Sequence, residues 1–481
     1  MLFNSISFAF FLPIIYLSYW FFCSNSKKVQ NILLLLSSYF FYSCWDWRFL
    51  FLLIFSTFLD FFSAFQIAKS TNKNIKKTWL WLCISINLGF LGIFKYYNFF
   101  ISSFANLISS FGLHLNPYLL KVILPVGISF YTFHGLSYII DIYNQRIKPE
   151  KNIVDYSLFV SFFPLLVAGP IERATHLLPQ IKSKRTFNYL KTVDGLKQIL
   201  WGLFKKIVIA DNCAEYANLA FDNSSHFPSS GLILGAIFFS FQIYCDFSGY
   251  SDIAIGSARL FGIDLLRNFA FPYFSRDFAE FWRRWHISLS SWFKDYVYIP
   301  LGGSKNGKWN QIKNTFIIFL ISGFWHGANW TFIIWGFLNA IYILPSIIFN
   351  YNRYNIDIVA KGKSLPSFKD IIAISTTFAL TVFAWIFFRS ESVIKALEFV
   401  KGIFSQSILS FPKYAGIRTG IVLFLILIFI TVEWIGRQQE YAIEQLGTKW
   451  KEPYRWALYY LIIIAIWCSL GNEQKFIYFQ F

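Results

Sequence analysis

Charge is what this sequence has least of. Only 14% of its 481 residues are Asp, Glu, Lys or Arg, where a soluble domain carries about 25%. A water-facing surface over most of the chain is thereby excluded. Cysteine is sparse too: Cys23, Cys44, Cys83, Cys213, Cys245 and Cys468 form no C-x-x-C pair. They read as small buried hydrophobes, not as a disulfide framework or a metal site. The chain lacks H-E-x-x-H, P-loop, G-x-G-x-x-G and G-x-S-x-G patterns, so nothing signals a metal or a nucleotide cofactor. Ser288 lies two residues from His286, on another helix face, which gives no Ser-His-Asp arrangement.

What remains is apolar. The chain is 56% hydrophobic and 22% aromatic, with a mean hydropathy of +0.48. Apolar windows recur near 5–22, 30–45, 48–67, 78–94, 96–112, 117–140, 152–169, 196–210, 230–262, 314–347, 370–388, 417–436 and 456–470. This pattern predicts an all-α polytopic membrane protein with about ten to twelve spanning helices. Windows cut short by Gly and Pro predict re-entrant or interfacial helices lined by protein or water. The net charge of +18 falls in short clusters between windows, as in cytoplasmic loops facing anionic lipid. That distribution argues against nucleic acid as a partner. Lys27 and Lys28, then Lys69, Lys73, Lys76 and Lys77, predict cytoplasmic loops and an extracytoplasmic N-terminus. The first window has no basic segment before it and reads as a retained span. With no soluble domain or repeat, residues 1–481 are expected to form one integral-membrane domain.

Six histidines are present. His114 and His226 fall in loops, His176 follows "AGPIERAT", and His134 reads as a core histidine. His326 lies deep in an apolar window, where an ionisable side chain marks a functional site by default. Gly323 and Gly327 bracket it as G-x-x-x-G, which admits a close helix. A histidine can take a proton from a hydroxyl near neutral pH. Trp325 and Asn329 adjoin it, and Asn329 can donate to a developing oxyanion. Read as one helix, 282–294 places Trp282, His286, Leu289 and Phe293 on one face. Arg283, Arg284, Ser288, Ser291, Lys294 and Asp295 cover the other, which would lie in the headgroup layer. His286 then points inward. Asp246 and Asp252 read as buried structural acids, able to pair with Arg283 or Arg284. Asp60 and Glu433 read as structural acids as well.

The segments "SFFPLLVAGPIERA" (161–174), "FQIYCDFSGYSDIAIG" (241–256), "DFAEFWRRWHISLSSWFKDYVYIPLGG" (277–303), "SGFWHGANWTFIIWG" (322–336) and the closing "FIYFQF" resemble the membrane-bound O-acyltransferases. They resemble most the bacterial branch that O-acetylates alginate and similar exported polysaccharides. Cys245 stands where that branch would carry a bulkier apolar residue. The resemblance implies a ring of tilted helices around a central tunnel. It implies that His326 is catalytic and that His286, forty residues earlier, is the second active-site residue.

On that resemblance the expected activity is acyl transfer, most simply of acetyl, from a cytoplasmic thioester donor to hydroxyls of an exported envelope polysaccharide. His326 would be the general base; His286 would orient the acceptor or stabilise the oxyanion. Asn329 and Trp325 would shape the site. The basic face of Arg283, Arg284, Lys294, Lys305 and Lys308 would attract the phosphates of acetyl-CoA or another acyl thioester, a substrate and not a bound cofactor. The setting would be a bacterial inner membrane. Two alternatives stay open: D-alanyl transfer to teichoic acid, and an acyl transporter that feeds an extracytoplasmic acetyltransferase partner.

Overall fold

The structure, a computed structural model, describes residues 1–481 except 114, 122, 168, 406–409, 411, 413–415, 472, 473, 475 and 478–481. His114 and the end of the "FIYFQF" segment thus lie outside the described residues. All regular secondary structure among the described residues is helical. Among the described residues six helices are long and apolar enough to cross a membrane: Arg48–Lys69, Lys73–Ser110, Ser229–Leu260, Trp330–Ile348, Phe368–Arg389 and Ile417–Gly436. The protein is therefore an all-helical multi-pass membrane protein. Ile6–Phe22 is apolar but has only 17 residues.

Several windows divide differently from the expectation. Windows 78–94 and 96–112 form one continuous helix, Lys73–Ser110, carried through a π-helical turn at Gly92–Tyr96. The window 152–169 becomes two short helices, Ile153–Ser161 and Phe163–Leu166, as Pro164 at the start of the second favours. The window 314–347 breaks at Gly327 into Lys308–His326 and Trp330–Ile348.

The chain packs as two compact units, residues 1–189 with 258–266, and residues 190–257 with 267–481. In the first, the Ile128–Tyr143 helix is buried along nearly its whole length. Asp60 is fully buried and accepts hydrogen bonds from Asn87 Nδ2 (2.8 Å), Cys83 Sγ (3.1 Å) and Tyr156 Oη (3.4 Å). It is a structural acid. His134 Nε2 accepts from the Glu172 amide at 3.1 Å, and the Glu172 carboxylate meets His176 Nδ1 at 2.8 Å and the Leu266 amide at 2.6 Å. Glu172 thus ties its segment to the Ile128–Tyr143 helix, to His176 and to Leu266.

In the second unit the mostly buried Ser229–Leu260 helix carries the "YCDFSGYSD" segment. Its acids pair with lysines. Lys206 Nζ lies 2.7 Å from Asp211 and 2.9 Å from Asp246; Lys205 Nζ lies 2.5 Å from Asp252. Pairing of Asp246 or Asp252 with Arg283 or Arg284 does not occur. An ionised carboxylate in a low-dielectric interior is held well by a cation within direct reach, and the segment Phe204–Ala210 supplies two. Tyr244 donates to Glu433 at 2.7 Å, which makes Glu433 structural too. His226 ends an exposed single turn, Ser224–His226.

Candidate active site

The site lies within the second unit. The Phe278–Arg284 helix starts at Asp277, whose side chain accepts from the Glu280 amide at 2.7 Å. Glu280 is buried and binds Arg276 at 3.1 Å and Arg284 at 2.7 Å. Arg284 also donates to the Ala270 carbonyl at 3.2 Å. Arg283 donates to the carbonyls of Asn352 and Asn355, each at 2.8 Å. Neither arginine forms part of a plain headgroup-facing stripe: Arg284 is buried in an ion pair, and Arg283 tethers a loop.

The single helix expected over 282–294 does not form. The chain leaves the helical path at Trp285, and His286 adopts a left-handed conformation (φ 43°, ψ 53°) before a new helix runs over Ile287–Phe293. The break has a tertiary cause. The Ala270 amide bonds the Arg284 carbonyl, and the Ile287 amide bonds the Asn268 carbonyl, both at 2.9 Å. Pairing with residues 268–270 pulls the chain straight. A left-handed non-glycine residue costs about 1–2 kcal/mol, and histidine tolerates it better than most. The expected inward aim of His286, with Leu289 and Phe293, nonetheless holds, since all three are buried.

His286 Nδ1 is 3.0 Å from Asn268 Oδ1. The ring stands edge-on to Phe247 (centroids 4.6 Å apart) and 6.2 Å from Trp325. Burial pushes its imidazole below the ordinary value, so it is neutral at physiological pH.

His326 is the last residue of its helix and is buried. Its ring packs on Trp325 (4.9 Å), Trp335 (5.1 Å) and Phe388 (5.4 Å). The structure therefore brings His286 and His326 to one side chain, Trp325, which touches both. Trp335 in turn stacks on Trp385 at 5.6 Å, and Trp385 lies 5.0 Å from Trp285. Such a wall excludes water and strengthens electrostatic interactions inside it.

Helix crossing positions His326. A Cβ on Gly323 would fall 2.3 Å from the Phe332 carbonyl oxygen, and one on Gly336 would fall 2.3 Å from that of Phe319. The two backbones touch there, so Gly323 pairs with Gly336. Gly327 plays another part. It ends the helix in an extended conformation (φ −162°) and leaves room for the Phe332 ring, which a Cβ would meet at 2.0 Å.

Both ends of the Asn329 amide meet backbone groups. Its Oδ1 caps the Trp330–Ile348 helix by accepting from Thr331 N at 3.1 Å, and its Nδ2 donates to the Glu391 carbonyl at 2.7 Å. Lys294 is exposed and lines a cavity of about 680 Å³ with Arg283, Arg353, Trp282, Phe319 and Ser322. Ser322 lies one turn before His326 on the same helix. Sequence reasoning missed Asn268, Phe247 and the tryptophan wall as parts of the site. Phe247 sat in a quoted motif, whereas nothing local distinguishes Asn268.

A family model described as membrane-bound O-acyltransferase matches residues 143–384, a span that includes both histidines. The chain is 34% identical to a protein of Pseudomonas putida named probable alginate O-acetylase AlgI, over the full length of both. It is 38% identical to the peptidoglycan O-acetyltransferase of Helicobacter pylori, over 84% of this chain and 80% of that one. A weaker match, 29% identical over 55% of this chain and 69% of the relative, is to the teichoic acid D-alanyltransferase of Bacillus subtilis. With the helical membrane fold and the paired buried histidines, these matches place the chain in the membrane-bound O-acyltransferase family.

Proposed function

We propose that this protein is an O-acetyltransferase of a bacterial inner membrane, moving acetyl from a cytoplasmic thioester, most simply acetyl-CoA, to hydroxyls of an exported envelope polysaccharide. The observation that carries the reading is the pair of buried histidines, His286 and His326, whose rings both pack on Trp325 within a cluster of aromatic side chains. On this reading the helices form a ring of ten to twelve spans about a tunnel, with the N-terminus extracytoplasmic. The acceptor hydroxyl oxygen attacks the thioester carbonyl, the carbon–sulfur bond breaks, and His326 carries the hydroxyl proton to the departing thiolate. Removing a positioned base of this kind costs about 10²–10⁴-fold.

The apolar cavity beside Ser322 and Phe319, with Arg283, Lys294 and Arg353 in its wall, fits a donor that joins an apolar arm to anionic phosphates. Acetyl is favoured over D-alanyl because relatives named as acetylases match more of the chain than the D-alanyltransferase does. The test is transfer of labelled acetyl from acetyl-CoA to polysaccharide by purified protein. Wild type is expected to transfer and His326→Gln, monodisperse, to be nearly inactive. A well-folded His326→Gln protein with near-native transfer would end the general-base role. Release of acetyl across the membrane without delivery to glycan would favour a carrier feeding a separate extracytoplasmic acetyltransferase.

A further inference from the structure

Asn268 is fully buried, and its amide is oriented by one group that can only donate and by two serine hydroxyls that complete the arrangement. The Ser288 backbone N–H, which can only donate, faces Oδ1 at 3.4 Å, and Ser288 Oγ lies 2.9 Å from the same oxygen. On the other side Nδ2 donates to Ser251 Oγ at 3.1 Å. The atom 3.0 Å from His286 Nδ1 is therefore the amide oxygen, and an amide oxygen can only accept. Nδ1 carries the imidazole proton and Nε2 carries the lone pair. Nε2 is buried and has no hydrogen-bond partner among the described residues.

We infer that Asn268 is a positioning residue that holds His286 as a hydrogen-bond acceptor, and that His286 Nε2 receives a second hydroxyl of the acceptor sugar, next to the one that reacts. This rests on the proposed O-acetyl transfer and narrows its substrate. A neutral imidazole with its lone pair on Nε2 cannot donate from that atom to an oxyanion. Nor can it share the single proton of the reacting hydroxyl, which goes to His326. What it can take is an O–H from a neighbouring carbon. The acceptor class that satisfies both histidines is a vicinal diol, as on a pyranose ring with free adjacent hydroxyls. The left-handed turn at His286 and the Ile287-to-Asn268 backbone bond fix the ring in that pose.

The test has two arms. In full-length protein labelled with ¹⁵N-histidine, NMR reads the tautomer directly. His286 is expected as Nδ1–H in wild type and in Asn268→Asp, which keeps an acceptor, but not in Asn268→Leu. The Nε2–H tautomer in wild type would overturn the inference, whatever the activity. The second arm uses acetyl-CoA and a methyl pyranoside bearing adjacent free hydroxyls, against its monodeoxy analogues. Removing the neighbouring hydroxyl is expected to cost wild type about ten- to a hundredfold in kcat/KM, since a buried acceptor is left unpaired. In His286→Ala the same removal should cost almost nothing. An equal deoxy penalty in both proteins would sink the diol reading. If wild type acetylates no hydroxyl at all, the proposed function fails, while the tautomer still decides what Asn268 does.

Discussion

Replacing Gly323 by alanine tests whether helix crossing, and not only the histidines, makes the site. The added methyl would sit 2.3 Å from the Phe332 carbonyl oxygen and 3.1 Å from its carbon. Both are backbone atoms of the facing helix, so no side chain can swing away. Restoring van der Waals distance requires the helices to part by about 1 Å. Overpacking of this kind costs about 1–3 kcal/mol. His326 lies three residues further along the same helix and moves with it. A displacement near 1 Å in a reacting group costs about 10²-fold in rate. Gly323→Ala should therefore lower kcat about a hundredfold while the protein still purifies with a modestly reduced unfolding temperature. Gly336→Ala, which meets the Phe319 carbonyl at 2.3 Å, should behave alike. Gly420→Ala is the control: it lies on the exposed side of Ile417–Gly436 and meets nothing within 4 Å, so activity should hold. Acetyl transfer measured beside thermal unfolding in one detergent separates the two effects. Full activity and unshifted unfolding in Gly323→Ala would refute the close crossing.

Three further outcomes are expected. Lys206→Met leaves Asp211 and Asp246 without their shared cation; breaking a buried pair costs about 3–5 kcal/mol, so yield and thermal stability should collapse, and a stable variant would show that the cluster is not a tie. The Glu172 carboxylate beside His176 holds its imidazole above the ordinary value, so the pair's stabilisation is full below about pH 6.5, the ordinary histidine value, and is lost as pH rises through the raised one. The gap in unfolding temperature between wild type and His176→Ala should shrink as pH rises, and a widening gap would reverse the assignment. Asn72→Cys, placed at an exposed position beside the 69–77 lysines in a background without native cysteines, should resist an impermeant thiol reagent in intact cells; rapid labelling would invert the proposed orientation.

Much of the membrane architecture was legible because it depends on local composition. The window 230–262 became Ser229–Leu260, and 417–436 became Ile417–Gly436. His326 stood out because an ionisable side chain amid apolar neighbours is costly wherever the chain folds. Asp60 and Glu433 were legible as structural acids for the same reason: each needs partners, and each has them. Asn329 was misread despite a local signal. An asparagine two residues before a threonine at the mouth of an apolar helix is an N-cap pattern, and its Oδ1 is engaged there while its Nδ2 reaches the Glu391 carbonyl.

The remainder was hidden because it was settled by partners far along the chain. Periodicity over 282–294 favours one helix, and nothing in those residues opposes it. The pairing of 268–270 with 284–287 does, and it turns His286 into a left-handed corner. Burial of His286 survived the break because the aromatic face it belongs to is larger than one helix. Phe247, Phe269 and Trp325 arrive from three other segments to enclose it. The same logic governs charge. A sequence can show that Asp246 and Asp252 will need cations; it cannot rank Arg283 and Arg284 against Lys205 and Lys206. That ranking is made by reach: Arg284 is already engaged with Glu280 on its own helix, whereas the lysines lie against Ser229–Leu260 within 2.9 Å of the carboxylates they neutralise. Asn268 is the limiting case. Its residue type carries no signal, and its role exists only in the geometry that sets a backbone N–H and an imidazole against one oxygen.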